Sequence, residues 1–256
     1  MKKTALTLAI GLASLPISLF ASDVLTKSDV SRKIQQISQI GQASLVVKEV
    51  EESPLPGFYQ VITDRGIIYA SKDGKHLLSG TIHKFEAGMQ DLTKERLLVE
   101  REKDINALKS DFITYRSPNQ KHEVIVFYDT TCGFCHKLHS EINQYLQQGI
   151  TVHYAAFPRN GVYDPRTAGA KTDGYNQLQD IWCTDNSNKN LAFDMVAKGA
   201  ALPRKECNTS IEQQFNLGVK LGIQGTPAIV SMRGDMVIAG YAPAHVLKSR
   251  LEQAGL

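Results

Sequence analysis

Apolar and polar positions alternate in two different ways along this chain. From residue 121 the apolar pattern is dense. Val124-Ile125-Val126-Phe127-Tyr128 is a continuous, largely β-branched run, as expected of a strand buried on both faces. Phe134, Leu138, Ile142, Tyr145 and Leu146 then recur at helical spacing until Gly149 stops the helix, and Thr151 to Phe157 predicts a second strand. Residues 161–222 read mostly as helix. Ala228-Ile229-Val230 and Met236-Val237-Ile238 predict a hairpin across Arg233-Gly234-Asp235, and Pro243 opens a last helix ending near Leu251. The order strand, helix, strand, helical insert, hairpin, helix predicts an α/β domain over 115–256.

Upstream the apolar stretches are shorter. Val30, Ile34 and Ile37 have helical spacing, with Ser28 placed as an N-cap. Ile67-Ile68-Tyr69-Ala70 and His76-Leu77-Leu78 flank Asp73-Gly74, a strong hairpin signal because both turn residues tolerate positive φ. Residues 22–90 therefore predict a small α+β domain with little room for a core, which pairing with a second copy would stabilise. Between the domains, "LTKERLLVEREKDINALKS" has no Gly or Pro, with Thr93 placed as an N-cap. Only Leu98, Ile105 and Leu108 form an apolar stripe on it. A helix so polar predicts a solvent-bridging linker over 91–114, one more surface helix of a single domain being the alternative.

Residues 1–21 read as a secretory signal peptide: Lys2 and Lys3, an apolar run, then Ala21 before a cleavage site. Removing them takes away two lysines and no acids, so the formal charge of +3 becomes +1, and electrostatics offers no case for nucleic acid as a partner. In an exported protein the four cysteines can persist as disulfides.

Cys132-Gly133-Phe134-Cys135-His136 fits three chemistries: a dithiol redox site, c-type haem attachment, and half of a zinc site. Only one CxxCH exists, and it follows a strand buried on both faces, where a haem finds no pocket. Zinc would need a second close pair, and Cys183 and Cys207 are 24 apart. The redox reading fits the strand–CxxC–helix context and requires no cofactor and no metal. Cys132 falls at the helix N-terminus, where unpaired amides and the macrodipole favour a thiolate. Cys135, one turn further in, can resolve a mixed disulfide. His136 adds either a nearby cation or an ordinary solvated histidine. Thr226-Pro227, just before a strand, resembles the cis-proline loop of thioredoxin folds and would leave the Thr226 backbone facing Cys132, free to pair with an extended substrate. Cys183 and Cys207 lack any such activation, and the simplest reading pairs them with each other.

The stretches "DGKHLLSG", "CGFCHKLH", "GITVHYAAFPR", "DIWC" and "LGVKLGIQGTPAIV" together resemble the DsbC/DsbG family of periplasmic thiol:disulfide interchange proteins. The resemblance implies an N-terminal dimerisation domain, a helical linker and a thioredoxin-like C-terminal domain with a helical insert. It implies a homodimer whose two CxxC sites face a cleft that holds misfolded exported proteins with wrong disulfides, and a membrane reductase, DsbD, that keeps the pair reduced. It makes Cys132 the attacking thiol, Cys135 the resolving one, Thr226-Pro227 the cis-proline loop and Cys183–Cys207 the structural disulfide. The chain departs from the family at Phe134, where Tyr is usual, and in a longer connection over 161–179. Thioredoxins carry a buried acid six residues before the first cysteine, and here that position is Val126, which leaves the proton acceptor of Cys135 unassigned. Two classes of function follow: an isomerase that re-forms wrong disulfides, and a holdase whose CxxC is secondary.

Overall fold

Thr26 is followed three residues later by Asp29, and this pair decides where the first described helix begins. The computed structural model describes residues 24–40, 45–86 and 88–256; the expected signal peptide lies outside them. Thr26 Oγ1 accepts from the Asp29 N–H at 3.2 Å while Asp29 Oδ2 accepts from the Thr26 N–H at 3.2 Å. This reciprocal cap starts α1 (Lys27–Ile40) two residues ahead of the cap expected at Ser28. Strands β1 (Val47–Glu52), β2 (Phe58–Thr63), β3 (Gly66–Ser71) and β4 (Leu77–Leu78) form one sheet in that order. Tyr69 pairs with Leu78 and Ala70 with Leu77 across the expected turn, where Gly74 takes φ +68°. The core of this unit is small: Val30, Ile34, Tyr59, Val61 and Ala70. Ile37, expected on the same helical face, is 51% exposed. The unit comprises the described residues through Thr63 and Ile67–Gly80; Asp64–Gly66 and the described residues of Thr81–Leu256 form a second unit.

The second unit begins with the short pair β5 (His83–Lys84) and β6 (Gln90–Asp91) and the helix α2 (Leu92–Leu108). Asp91, not Thr93, caps α2, accepting from the Lys94 N–H at 2.8 Å. Thr93 is instead buried within the first turn, its Oγ1 accepting from the Ile82 N–H at 2.8 Å. Next come β7 (Ile113–Tyr115), β8 (His122–Tyr128), α3 (Gly133–Ser140), α4 (Ile142–Gln147) and β9 (Ile150–Ala156). The insert holds α5 (Asp173–Trp182), α6 (Lys189–Ala197) and α7 (Ile211–Lys220), and β10 (Ala228–Ser231), β11 (Met236–Ile238) and α8 (Ala244–Gln253) close the unit.

The five strands order as β11-β10-β8-β9-β7. β8 and β9 run parallel, while β10 is antiparallel to β8 and β7 antiparallel to β9. Because strand side chains alternate, β8 feeds two cores. Val124, Val126 and Tyr128 enter the one built with α3, α5, α6 and α8. Ile125 and Phe127 enter the other, beneath Leu217 of α7, Leu221 at its C-cap and Ile105 of α2. The thin stripe on the linker helix thus covers one face of this sheet instead of bridging through solvent: Ile105 is fully buried, and Arg101 Nη1 donates to Gly234 O at 3.2 Å. Two features escape the periodicity. Strand β7 is too short to show alternation, and the predicted helix after the CxxC breaks at Glu141, whose carboxylate accepts from Lys137 Nζ at 2.7 Å and the Tyr241 hydroxyl at 2.6 Å. Gly149 does end the second segment, at φ +82°, with a Cβ there meeting Asn119 O at 3.0 Å. The fold is thus an α+β N-terminal unit, a linking helix, and an α/β thioredoxin-like unit with a helical insert.

Candidate active site

Strand β8 ends at Tyr128, and four residues later the chain enters α3 with Cys132 as its N-cap in extended conformation (φ −101°, ψ 113°). The intervening turn is held by Asp129, itself buried. Its Oδ1 accepts from the Thr131 N–H at 2.7 Å and the Thr131 hydroxyl at 2.8 Å; its Oδ2 accepts from the Arg159 N–H at 2.7 Å. Arg159 Nη2 in turn donates to Thr131 O at 2.9 Å. These residues escaped the sequence reading. The signal available was an Asp two residues before a threonine at a strand end, a common side-chain-to-backbone turn.

Cys132 and Cys135 are free thiols. Cys132 is 2% accessible, with Thr226 set against it, and its Sγ lies 3.1 Å from Thr226 O. The Thr226-Pro227 peptide is cis. Exposure at the site comes from the neighbours Thr131, Gly133 and Phe134, the last with its ring stacked at 6.2 Å on Tyr241. The Cys132 thiol is pulled down to about 5, chiefly by the Cys135 thiol donating to it, with the backbone amides of Cys135 and Phe134 adding to the effect against a desolvation cost. Burial pushes the Cys135 thiol far above the ordinary range. The two sulfurs of one CxxC are therefore split into a ready thiolate and a protonated partner.

Both ring nitrogens of His136 face backbone carbonyls instead of solvent. Its Nδ1 lies 2.7 Å from Ala197 O and its Nε2 2.6 Å from Thr130 O, so its ring ties the turn before the CxxC to the end of α6. Cys183 and Cys207 lie within the insert, bonded to each other, with Cα atoms 5.7 Å apart. The longer connection folds into a hairpin-like turn in which Tyr163 bridges Lys171 and Thr172 Oγ1 caps α5 by accepting from the Tyr175 N–H at 3.3 Å. Among the described residues no group of three or more His, Cys, Asp or Glu could hold a metal ion, and no helix is long and apolar enough to cross a membrane.

Two family descriptions match the chain: a thioredoxin-like domain over 108–255 and a disulfide bond isomerase protein N-terminal domain over 23–94. The chain is 38% identical to the thiol:disulfide interchange protein DsbC of Dickeya dadantii, over 92% of each chain. It belongs to the DsbC family. To DsbC of Escherichia coli K12 it is 35% identical, over 86% of each chain. A solved disulfide interchange protein from Neisseria gonorrhoeae is 26% identical with a TM-score of 0.45, covering 56% of this chain and 95% of its own. Within the DsbC family frame, the N-terminal match ends inside α2, and the thioredoxin-like match begins at its last residue.

Proposed function

We propose that the protein is a periplasmic disulfide isomerase and reductase acting on exported proteins with wrong disulfides. The observation that carries this reading is the split pair: a Cys132 thiol lowered to about 5 beside a buried Cys135, under the carbonyl of Thr226. At neutral pH Cys132 is the nucleophile. It attacks a client disulfide, forms a mixed disulfide and expels the other client sulfur as a thiolate. A second client thiol can then displace Cys132 and leave a rearranged disulfide. Alternatively Cys135 attacks, and the client leaves reduced. The Thr226 carbonyl, two residues before β10 and facing Cys132, would pair with the backbone of an extended client.

The first unit supports a homodimer. Among the described residues its core cluster is small, and beside it Leu77 and Leu78 of the edge strand β4 are 52% and 44% exposed. A dimer would present two such sites to one bound client, with holdase-like retention as part of the same activity and a membrane reductase of the DsbD kind returning the pair to its dithiol form. The test is refolding of scrambled ribonuclease by the native protein, Cys132→Ser and Cys135→Ser. Native protein should restore ribonuclease activity, Cys135→Ser should retain part of it, and Cys132→Ser none. Equal aggregation suppression by all three, with no reactivation by any, would make the protein a holdase.

A further inference from the structure

Two carbonyl oxygens beside the CxxC compete for one imidazole. His136 Nε2 lies 2.6 Å from Thr130 O, in the turn before Cys132, and its Nδ1 lies 2.7 Å from O of Ala197, the last residue of α6. Neither oxygen has a backbone partner. At the end of α6 the N–H groups of Lys198, Gly199 and Ala200 bond back to Asp194, Met195 and Val196, and among the described residues none reaches Ala197 O. No described amide reaches Thr130 O either. A carbonyl only accepts, and a neutral imidazole carries a single N–H, so a neutral ring can serve one of the two oxygens. The doubly protonated ring serves both, and its charge then stands at the negative end of a helix.

Which tie survives the loss of a proton follows from burial. Thr130 is 5% exposed, and an acceptor stranded there costs more than one that water can reach. Ala197 is only half-buried, and its neighbours Val196 and Gly199 line an open hollow of about 290 Å³ together with His136 and Asp180. The neutral ring therefore keeps its proton on Nε2, toward Thr130, and leaves Ala197 O to water. Charged and titratable groups surround the ring on every side. Tyr128 of β8 stands 6.2 Å away between ring centroids, and Asp180 of α5 shares the hollow, with Arg204 Nη1 3.2 Å from its Oδ1. Lys198 follows Ala197 directly, Cys135, Lys137 and His139 lie on α3 itself, and Cys132 caps that helix.

We propose that His136 is a proton-dependent clasp between the active-site turn and the insert: with two ring protons it ties Thr130 to the end of α6, and with one it lets α6 go. The second proton is exchanged with solvent through the hollow, and no covalent bond between heavy atoms changes. Because the ring stays on Thr130 in both states, the turn that carries Cys132 keeps its place. What loosens is the wall of the hollow from Val196 to Leu202, next to the turn that holds the thiol. A client bound at Cys132 would thus meet a firmer insert in acid than in base.

The test follows the native protein between about pH 5 and pH 8, the span over which histidines commonly change charge. In protein labelled with ¹⁵N-histidine, NMR of the His136 ring, assigned through its own backbone, should show protons on both nitrogens at the acid end and on Nε2 alone at the basic end. A neutral ring with its proton on Nδ1, or the same proton count at both ends, overturns the proposal. Amide exchange read by mass spectrometry supplies the second measurement. Divided by the intrinsic rate at each pH, exchange over 196–202 should rise about threefold or more from the acid to the basic end. In His136→Gln, whose amide donates at any pH, that rise should vanish. A rise of equal size in His136→Gln, or none in the native protein, would show that the insert is held by something other than this ring.

Discussion

At the residue scale the site's reactivity comes from neighbours as much as from the cysteines. The largest influence on Cys132 is the Cys135 thiol donating to it. Replacing Cys135 with Ala removes that donor, so the pH midpoint for alkylation of Cys132 should rise from about 5 toward the ordinary thiol range. Iodoacetamide labelling across pH with peptide mapping measures it; a midpoint unmoved in the variant would assign the effect to the helix amides instead. The same shift has a consequence for stability. A folded-state thiol at about 5 against about 8.5 when unfolded stabilises the reduced protein fully above the unfolded value. That contribution is lost as the pH falls through about 5. Denaturation midpoints of the reduced native protein should therefore decline over this window more steeply than those of Cys132→Ser. Cys132 was legible from helix position alone, whereas its near-complete burial was not, since the covering residue is Thr226, 94 positions away.

At the element scale, the insert is joined to the sheet at a few tight contacts. Helix α7 approaches the sheet at Gly218, where a Cβ would stand 2.5 and 2.6 Å from ring carbons of Phe157 and 3.0 Å from Phe127. Gly218→Ala should therefore destabilise by ~1–3 kcal/mol through overpacking, read as a lowered urea midpoint with unchanged slope. Within the insert, the Cys183–Cys207 bond closes a separation of 24 residues. Replacing both cysteines with Ala should cost ~3–4 kcal/mol on the chain-entropy account. The double variant should still show the fast first reaction with an aromatic disulfide, because neither sulfur lies at the Cys132 site. The sequence reads residues 161–222 mostly as helix, but it does not show the contact between Gly218 and Phe157, which depends on how a helix settles on a strand distant in sequence.

At the scale of the whole molecule, α2 decides how the chain can be cut. A fragment beginning at 115 would strip Ile105 from the core it shares with Phe112, Leu217 and Leu221. The fragment that keeps that core intact begins at Thr81. By light scattering it should be monomeric at micromolar concentration, whereas a chain that keeps the first unit should be dimeric. It should keep simple reductase activity and lose most isomerase activity on scrambled ribonuclease. A client held by one domain leaves once Cys135 resolves it, whereas two linked sites raise the effective concentration of its thiols near the mixed disulfide. Equal isomerase rates for fragment and mature protein would assign the first unit some other purpose.

The order of elements, the strand–CxxC–helix junction, the Asp73-Gly74 hairpin and the Gly149 stop follow from local rules, since each depends on a few consecutive residues and their intrinsic preferences. Helix starts were legible only in part. Ser28 and Thr93 satisfy the composition of a cap, but Thr26 and Asp91 are the residues whose side chains reach the free amides. The tertiary structure alone decided the rest. It brought Thr226 onto Cys132, Arg159 onto the Asp129 turn, Asp194 onto His139, and the stripe of α2 onto the sheet. These pairings join residues 30 to 94 positions apart, or a helix to the far face of a sheet. They are set by packing and by the need to pair buried polar groups, and periodicity along the chain carries neither.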